Sequence, residues 1–236
     1  MDGFGSVLHD IFKLLVTADS NLVEVIKLSL QVSVTAIGIG IMLGIPFGTV
    51  LGLYNFPGRQ ILVVVNYTLM GLPPVLVGVL IYLLLSANGP MGVLELLFTP
   101  TAMVLAQVCL VTPIISGLTM VAVREKVKHF WEPALSMGAT QLQAAWLVIK
   151  EAKLGIFAGV ITAFGRAIAE VGAVMLVGGN IEHSTRVMTT AIILETRKGN
   201  FDLALGLGLV LLLISFIING FLTLGTVKVA QRGDEY

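Results

Sequence analysis

Residues 129–153 read HFWEPALSMGATQLQAAWLVIKEAK, a polar interval between two long apolar stretches. Its punctuation is that of two helices meeting at a turn. Pro133 suits the first position of a short helix, where its missing N–H is not needed. Gly138 permits a sharp break. Thr140 with Gln143 three residues later forms a capping-box pattern, so a second helix is expected from about Thr140. Local patterning leaves two readings open, a compact knob at one membrane face or an ordinary amphipathic connector.

The flanks of this interval set the solvent. Of 236 residues, 14 are Lys or Arg and 14 are Asp or Glu, while 56% are hydrophobic. So apolar a chain cannot cover its surface with polar groups in water, which excludes a soluble enzyme and makes the bilayer its solvent. The order of the charges then marks the spans. Lys27 to Arg59 encloses 31 uncharged residues, Arg59 to Glu95 encloses 35, Glu95 to Arg124 encloses 28 and Asp202 to Lys228 encloses 25. Each exceeds the roughly 20 residues that a helix needs to cross. A fifth apolar stretch, about 154 to 178, is interrupted by Arg166 and Glu170. An all-α membrane protein of about five spans is expected, with segment boundaries near residues 24 and 225.

Before the first span, MDGFGSVLHD lacks the basic start of a signal sequence. Phe4, Val7, Leu8, Ile11, Phe12 and Leu15 share one helical face, so residues 1–24 are expected to form an amphipathic helix at the membrane surface. With five spans, eight Lys or Arg fall on the side of the 129–153 interval and five on the other. That bias makes the interval cytoplasmic and the N-terminus external. Residues 226–236 are expected to form a short cytoplasmic tail, with no regulatory domain after it.

Small residues indicate how the spans pack. Gly40, Gly44, Gly48 and Gly52 form a smooth stripe in the first span, and Gly155, Gly159, Ala163 and Ala167 form another in the fourth. Such stripes let helices approach closely, either as fixed packing or as a sliding contact. Pro46, Pro73, Pro74 and Pro113 lie inside spans one to three, where kinks or local unwinding are expected.

Several chemistries are excluded. Balanced charge offers no basic face for nucleic acid. Cys109 is the single cysteine, and His9, His129 and His183 are scattered, so neither a disulfide nor a metal site is expected. Arg166 and Glu170, four residues apart on a continuous helix, would share a face. They could form an internal ion pair, or bias a path toward anions while limiting how tightly one binds. The interval 180–200 carries Glu182, His183, Arg186, Glu195, Arg197 and Lys198 and reads as an outer loop. Its charges are either simply solvated or form a docking surface, with Arg186 and Arg197 the candidates for acidic partners. Met175, Leu176 and Val177, at the outer end of the fourth span, could form an apolar constriction or merely pack.

Glu132, Ala134 and Gly138 in EPALSMGA resemble the E-A-A-x3-G signature of permease subunits of ABC importers. Pro133 departs from it at the first alanine, and the I-x-L-P that normally follows reads Val148, Ile149, Lys150, Glu151. GLPPVLVG at 71–78, GRAIAEVGAVMLVGGNI at 165–181 and TRVMTTAIILETRKGNF at 185–201 resemble the molybdate, sulfate and tungstate permeases, most of all the tungstate members. The similarity covers about residues 25–225. The resemblance implies a type I importer permease fold in the cytoplasmic membrane, in which Glu132, Pro133, Ala134, Leu135, Gly138 and Ala139 belong to a cytoplasmic coupling helix docked on an ATPase. It further implies a homodimer of permease subunits, an ABC ATPase dimer and a periplasmic or lipid-anchored oxyanion-binding protein. No Gly-Lys dipeptide occurs, so a phosphate-binding loop is absent. ATP and Mg²⁺ are therefore expected on the partner ATPase, with no cofactor here. Two other classes are disfavoured. An intramembrane enzyme using Glu170 would need a second catalytic group in the spans, and a passive anion channel has no use for a coupling knob.

Overall fold

In a computed structural model that describes residues 20–233, every regular element is a helix. The α-helices are α1 (Ser20–Leu53), α2 (Arg59–Met70), α3 (Pro74–Leu85), α4 (Pro100–Ser136), α5 (Gln141–Glu151), α6 (Lys153–Ile168), α7 (Gly172–Gly178), α8 (Met188–Lys198) and α9 (Phe201–Gly233), with a 3₁₀ turn at Gly92–Leu94. Three of them, α1, α4 and α9, are long and apolar enough to cross a membrane, and the number is five if each of the bent pairs α2/α3 (100°) and α6/α7 (55°) is counted as one span. This is the all-α architecture with several candidate membrane spans that the sequence predicts. The surface helix expected from Phe4 to Leu15 lies outside the described residues.

Prolines act differently from position to position. Leu72 and Pro73 stand between α2 and α3, with Pro74 opening α3 where no N–H is required. Pro46 and Pro113, expected to kink or locally unwind their spans, lie inside helices that continue past them. Each removes one main-chain bond, and long flanking turns hold the helix together.

The chain divides into two compact units. One contains Ala36–Leu72, Val108–Ala167 and the residues from Asn219 onward. Here the glycine stripe of α1 lies on α4. A Cβ at Gly40 would press on Val111, at Gly44 on Ile115, at Gly48 on the Ser116 carbonyl and at Gly52 on Val123. Val111, Ile115, Ser116, Thr119 and Val123 are fully enclosed. From α6, Gly155 meets Ala122 and Gly159 meets Leu118. Hydrocarbon gives helices no hydrophobic reason to associate, so close backbone approach and polar contacts must hold them. In α2 the only buried residue is polar: Asn66 donates from Nδ2 to the Pro113 carbonyl at 3.2 Å and accepts from Ser116 Oγ at 2.5 Å.

The second unit gathers residues up to Thr35 with Pro73–Gln107 and Ile168–Ile218. Gly78 of α3 meets Ala173 of α7, and Gly172 of α7 meets Val75 of α3. Ser29 of α1 accepts the Met188 N–H at 2.8 Å, and Met188 packs with Val210 against Val25, Ile26, Leu211 and Ile214.

Gly48→Ala should lower the thermal stability of the purified protein by about 1–3 kcal/mol, because the added methyl overlaps a backbone carbonyl. Gly38→Ala, whose Cβ meets nothing within 4 Å, should be neutral or slightly stabilising. Equal melting temperatures for the two variants would show that the stripe is not a packed surface.

Candidate functional site

The 129–153 interval is built from the end of α4, a turn and α5. Residues Glu132, Pro133, Ala134 and Leu135 continue α4, so Pro133 lies inside that helix and does not begin a new one, contrary to the sequence reading. The missing N–H of Pro133 costs one bond close to the helix end, where the freed carbonyl can turn to water. The turn itself is as expected. Gly138 has φ +89°, its N–H bonds the Leu135 carbonyl at 3.0 Å, and Ala139 bonds the Ala134 carbonyl at 3.0 Å. Together these form a Schellman stop, which requires a left-handed residue after the helix end. Open space surrounds Gly138, so backbone conformation alone demands glycine there.

Thr140 then caps α5 in both directions. Its side chain accepts the Gln143 N–H and its own N–H reaches Gln143 Oε1 at 2.8 Å. On its inner face α5 buries Ala144, Ala145 and Val148, the last two in a cluster with Leu53, Val123, Ala152 and Ile156. Arg59 Nε donates to the Leu51 carbonyl at 2.8 Å and Arg124 Nη1 to the Gly52 carbonyl at 3.5 Å, two cations on the last carbonyls of α1. Tyr54 meets Trp131 edge-on with centroids 6.2 Å apart. The outer face of the same segment is apolar and uncovered: Met137 is 89% exposed, Leu142 81% and Trp146 70%. One face of the segment is thus locked by packing, while the other presents exposed apolar side chains with no partner among the described residues.

Arg166 and Glu170 do not share a helical face. α6 ends at Ile168 and α7 begins at Gly172, so the four-residue spacing passes through a break. Arg166 is exposed in the last turn of α6, where its charge complements the helix dipole. Glu170 is buried, with 6% of its surface exposed. Its Oε1 accepts the Ala173 N–H at 3.1 Å, and its carbonyl accepts Thr189 Oγ1 at 2.9 Å. Of the three candidates for a constriction, Val177 is fully buried and its carbonyl is bonded by the Phe98 N–H, Met175 is half-buried and Leu176 is exposed.

The 180–200 interval, expected to be a loop, contains a helix. α8 spans Met188–Lys198, buries Thr189, Thr190 and Glu195, and closes on Gly199 at φ +82°. Charge counting missed it, because a short helix lying among charges leaves no long apolar run. Glu195 accepts from Lys198 at 2.7 Å and from Asn200 at 2.8 Å, and these bonds, the Asn200 bond first, hold its carboxyl below the ordinary value of 4.5. His183 meets Glu24 at 2.8 Å, which raises its pKa above 6.5. Arg197 is exposed, whereas Arg186 keeps only 19% of its side chain exposed and pairs with Glu182 at 3.0 Å. Asn66 was also missed, although an amide in the middle of an apolar run is the available signal. Among the described residues no cluster of metal ligands occurs.

With this geometry in place, comparison with known proteins is decisive. The family described as "binding-protein-dependent transport system inner membrane component" matches residues 44–229. The chain belongs to this family. It is therefore a multi-pass permease of the inner membrane, and its relatives are permease subunits of ABC transporters. It is 43% identical to the tungstate uptake system permease protein of Peptoclostridium acidaminophilum, over 92% of this chain and 94% of that one. To the permease of the same name from Campylobacter jejuni it is 37% identical, over 92% and 90%. A probable anion ABC transporter permease of Haloferax volcanii is 40% identical over 84% and 88%.

Two outcomes follow from the geometry. Leucine at Gly138 would cost about 1–2 kcal/mol in the left-handed region. Gly138→Leu should reach the membrane at normal levels yet lose most transport, with Gly138→Asn retaining more; unchanged uptake by the leucine variant would remove Gly138 from the mechanism. Glu195 contributes stability above its ordinary value of 4.5 and loses it as pH falls through its lowered one. Glu195→Ala should therefore melt earlier than the parent at pH 7, and the two melting curves should converge below pH 4.5. A gap that persists in acid would mean that the carboxylate charge is not what matters.

Proposed function

We propose that this chain is the membrane-spanning subunit of an ATP-driven importer for tungstate, received from a periplasmic or lipid-anchored binding protein. What carries the substrate is the similarity, along nearly the whole chain, to two permeases named for tungstate uptake. The sulfate transport permease of Escherichia coli stands further off, at 27% identity over 71% of this chain. Molybdate or sulfate is the alternative, since all three are tetrahedral dianions.

Two copies of the chain enclose one path, and a dimeric ABC ATPase binding ATP and Mg²⁺ sits below. The docking element for it is the α4–Gly138–α5 segment, whose uncovered Met137, Leu142 and Trp146 fit a groove and whose inner face is fixed to Leu53, Val123 and Ile156. Support for placing this end in the cytoplasm comes from Arg59 and Arg124, which gather at the same end of α1. When the ATPase closes, the segment moves, and the glycine contact of α1 with α4 passes the movement on as a stiff body. Side chains there have almost no free volume in which to absorb it.

Along the path, exposed Arg166 attracts the dianion. Glu170 serves a different purpose. Its carboxylate holds the first turn of α7 and its carbonyl holds α8, so the interrupted span keeps its outer half in place. Leu176, exposed on α7, is the residue of the 175–177 group able to narrow the path. At the outer surface, Arg197 is free to meet acidic groups of the binding protein, and that contact should weaken with salt.

The test is ATP hydrolysis by the complex in liposomes with tungstate, molybdate or sulfate at matched low concentrations. Stimulation by tungstate well below the others is expected; stimulation by sulfate alone would overturn the assignment. Arg166→Lys keeps the charge and loses the planar fork. It should shift the ratio of tungstate to sulfate response in protein present at normal amounts, whereas loss of protein with an unchanged ratio would make Arg166 a purely structural residue.

A further inference from the structure

The first turns of α1 and α9 and the helix α8 line a cavity of ≈ 140 Å³. Leu22 and Val25 of α1 and Leu203, Leu207 and Val210 of α9 make its apolar walls. Arg186 and Glu195 line it too. The Arg186 side chain leans inward from its Glu182 bond, and its Nε is enclosed with no hydrogen-bond partner. A buried guanidinium N–H left unpaired is expensive, so the site has an unmet demand for an acceptor.

We propose that this cleft holds a phospholipid of the outer leaflet, with its phosphate on Arg186 and one acyl chain along Leu22, Val25, Leu203, Leu207 and Val210. Position supports this, because the walls are the first turns of two membrane spans, where headgroups meet acyl chains. Charge supports it as well. A phosphodiester carries a single negative charge and accepts hydrogen bonds in the fork of one guanidinium. A free oxyanion dianion would be repelled more strongly by the Glu195 carboxylate, and beyond Asn21 and Arg186 the walls offer it no hydrogen-bonding side chain. Such a lipid would brace α8 against α1 and α9, steadying the outer surface that carries Arg197.

The full-length permease in phosphatidylcholine vesicles containing a phosphatidylglycerol with a photoactivatable acyl chain gives a direct test. Labelled peptides should map to the start of α9, around 203–210. Arg186→Gln should reduce that label about tenfold, as expected for a lost charge-assisted hydrogen bond. Glu182→Gln, which breaks the same surface ion pair but leaves the guanidinium, should retain it and so separates lipid binding from loss of structure. Millimolar inorganic phosphate or tungstate should not compete. Equal labelling in all three proteins would overturn the proposal, and so would displacement of the label by the free anions, which would make the cleft an oxyanion site.

Discussion

The close approach of α1 to α4 is the contact on which the rest depends. Apolar side chains gain nothing by leaving lipid for one another, so two spans stay together only where their backbones come near enough for dense packing. Gly40, Gly44, Gly48 and Gly52 make that possible along four turns, and at Gly48 even one methyl would overlap the Ser116 carbonyl. Where this contact ends, Leu53 and Val123 begin the cluster that seats α5. Helix packing and the seat of α5 are therefore one continuous piece of structure.

Polar groups within the spans do the joining that hydrophobicity cannot. Asn66 and Ser116 fasten a helix whose other faces are apolar and largely exposed, and Glu170 fastens the outer half of an interrupted span through Ala173 and Thr189. Each uses its capacity locally, which keeps the cost of burial low. Arg166, by contrast, is exposed at a helix end, and it is the charged member of the pair available for function.

Much of this was legible in the residues. Uncharged runs marked the spans because hydrocarbon excludes charge, the Gly138 turn and the Thr140 cap were readable because each depends on two or three neighbouring residues, and the glycine stripes predicted contacts that the helices make. What failed depended on longer range. Pro133 reads as a helix start, yet α4 carries on through it, since its flanking turns outweigh one missing bond. Arg166 and Glu170 read as helical neighbours because nothing in RAIAEVG announces a break; no proline is present, and the chain turns there to place α7 against α3. The helix α8 was hidden among charges that read as a loop, and with it the inward lean of Arg186.

The proposed function requires a docking element that moves with the α1–α4 contact as one body. Spin labels at Leu142 on α5 and Ile39 on α1, in a chain with Cys109 replaced by serine and diluted with excess unlabelled chain so that each complex holds one labelled copy, would measure this by pulsed electron resonance in the reconstituted complex, with and without ATP. The expected result is one narrow distance distribution that stays in place through the nucleotide cycle while transport proceeds. A shift of several ångströms, or a broad distribution in either state, would mean that the segment flexes on its seat and that ATPase movement reaches the spans by another route.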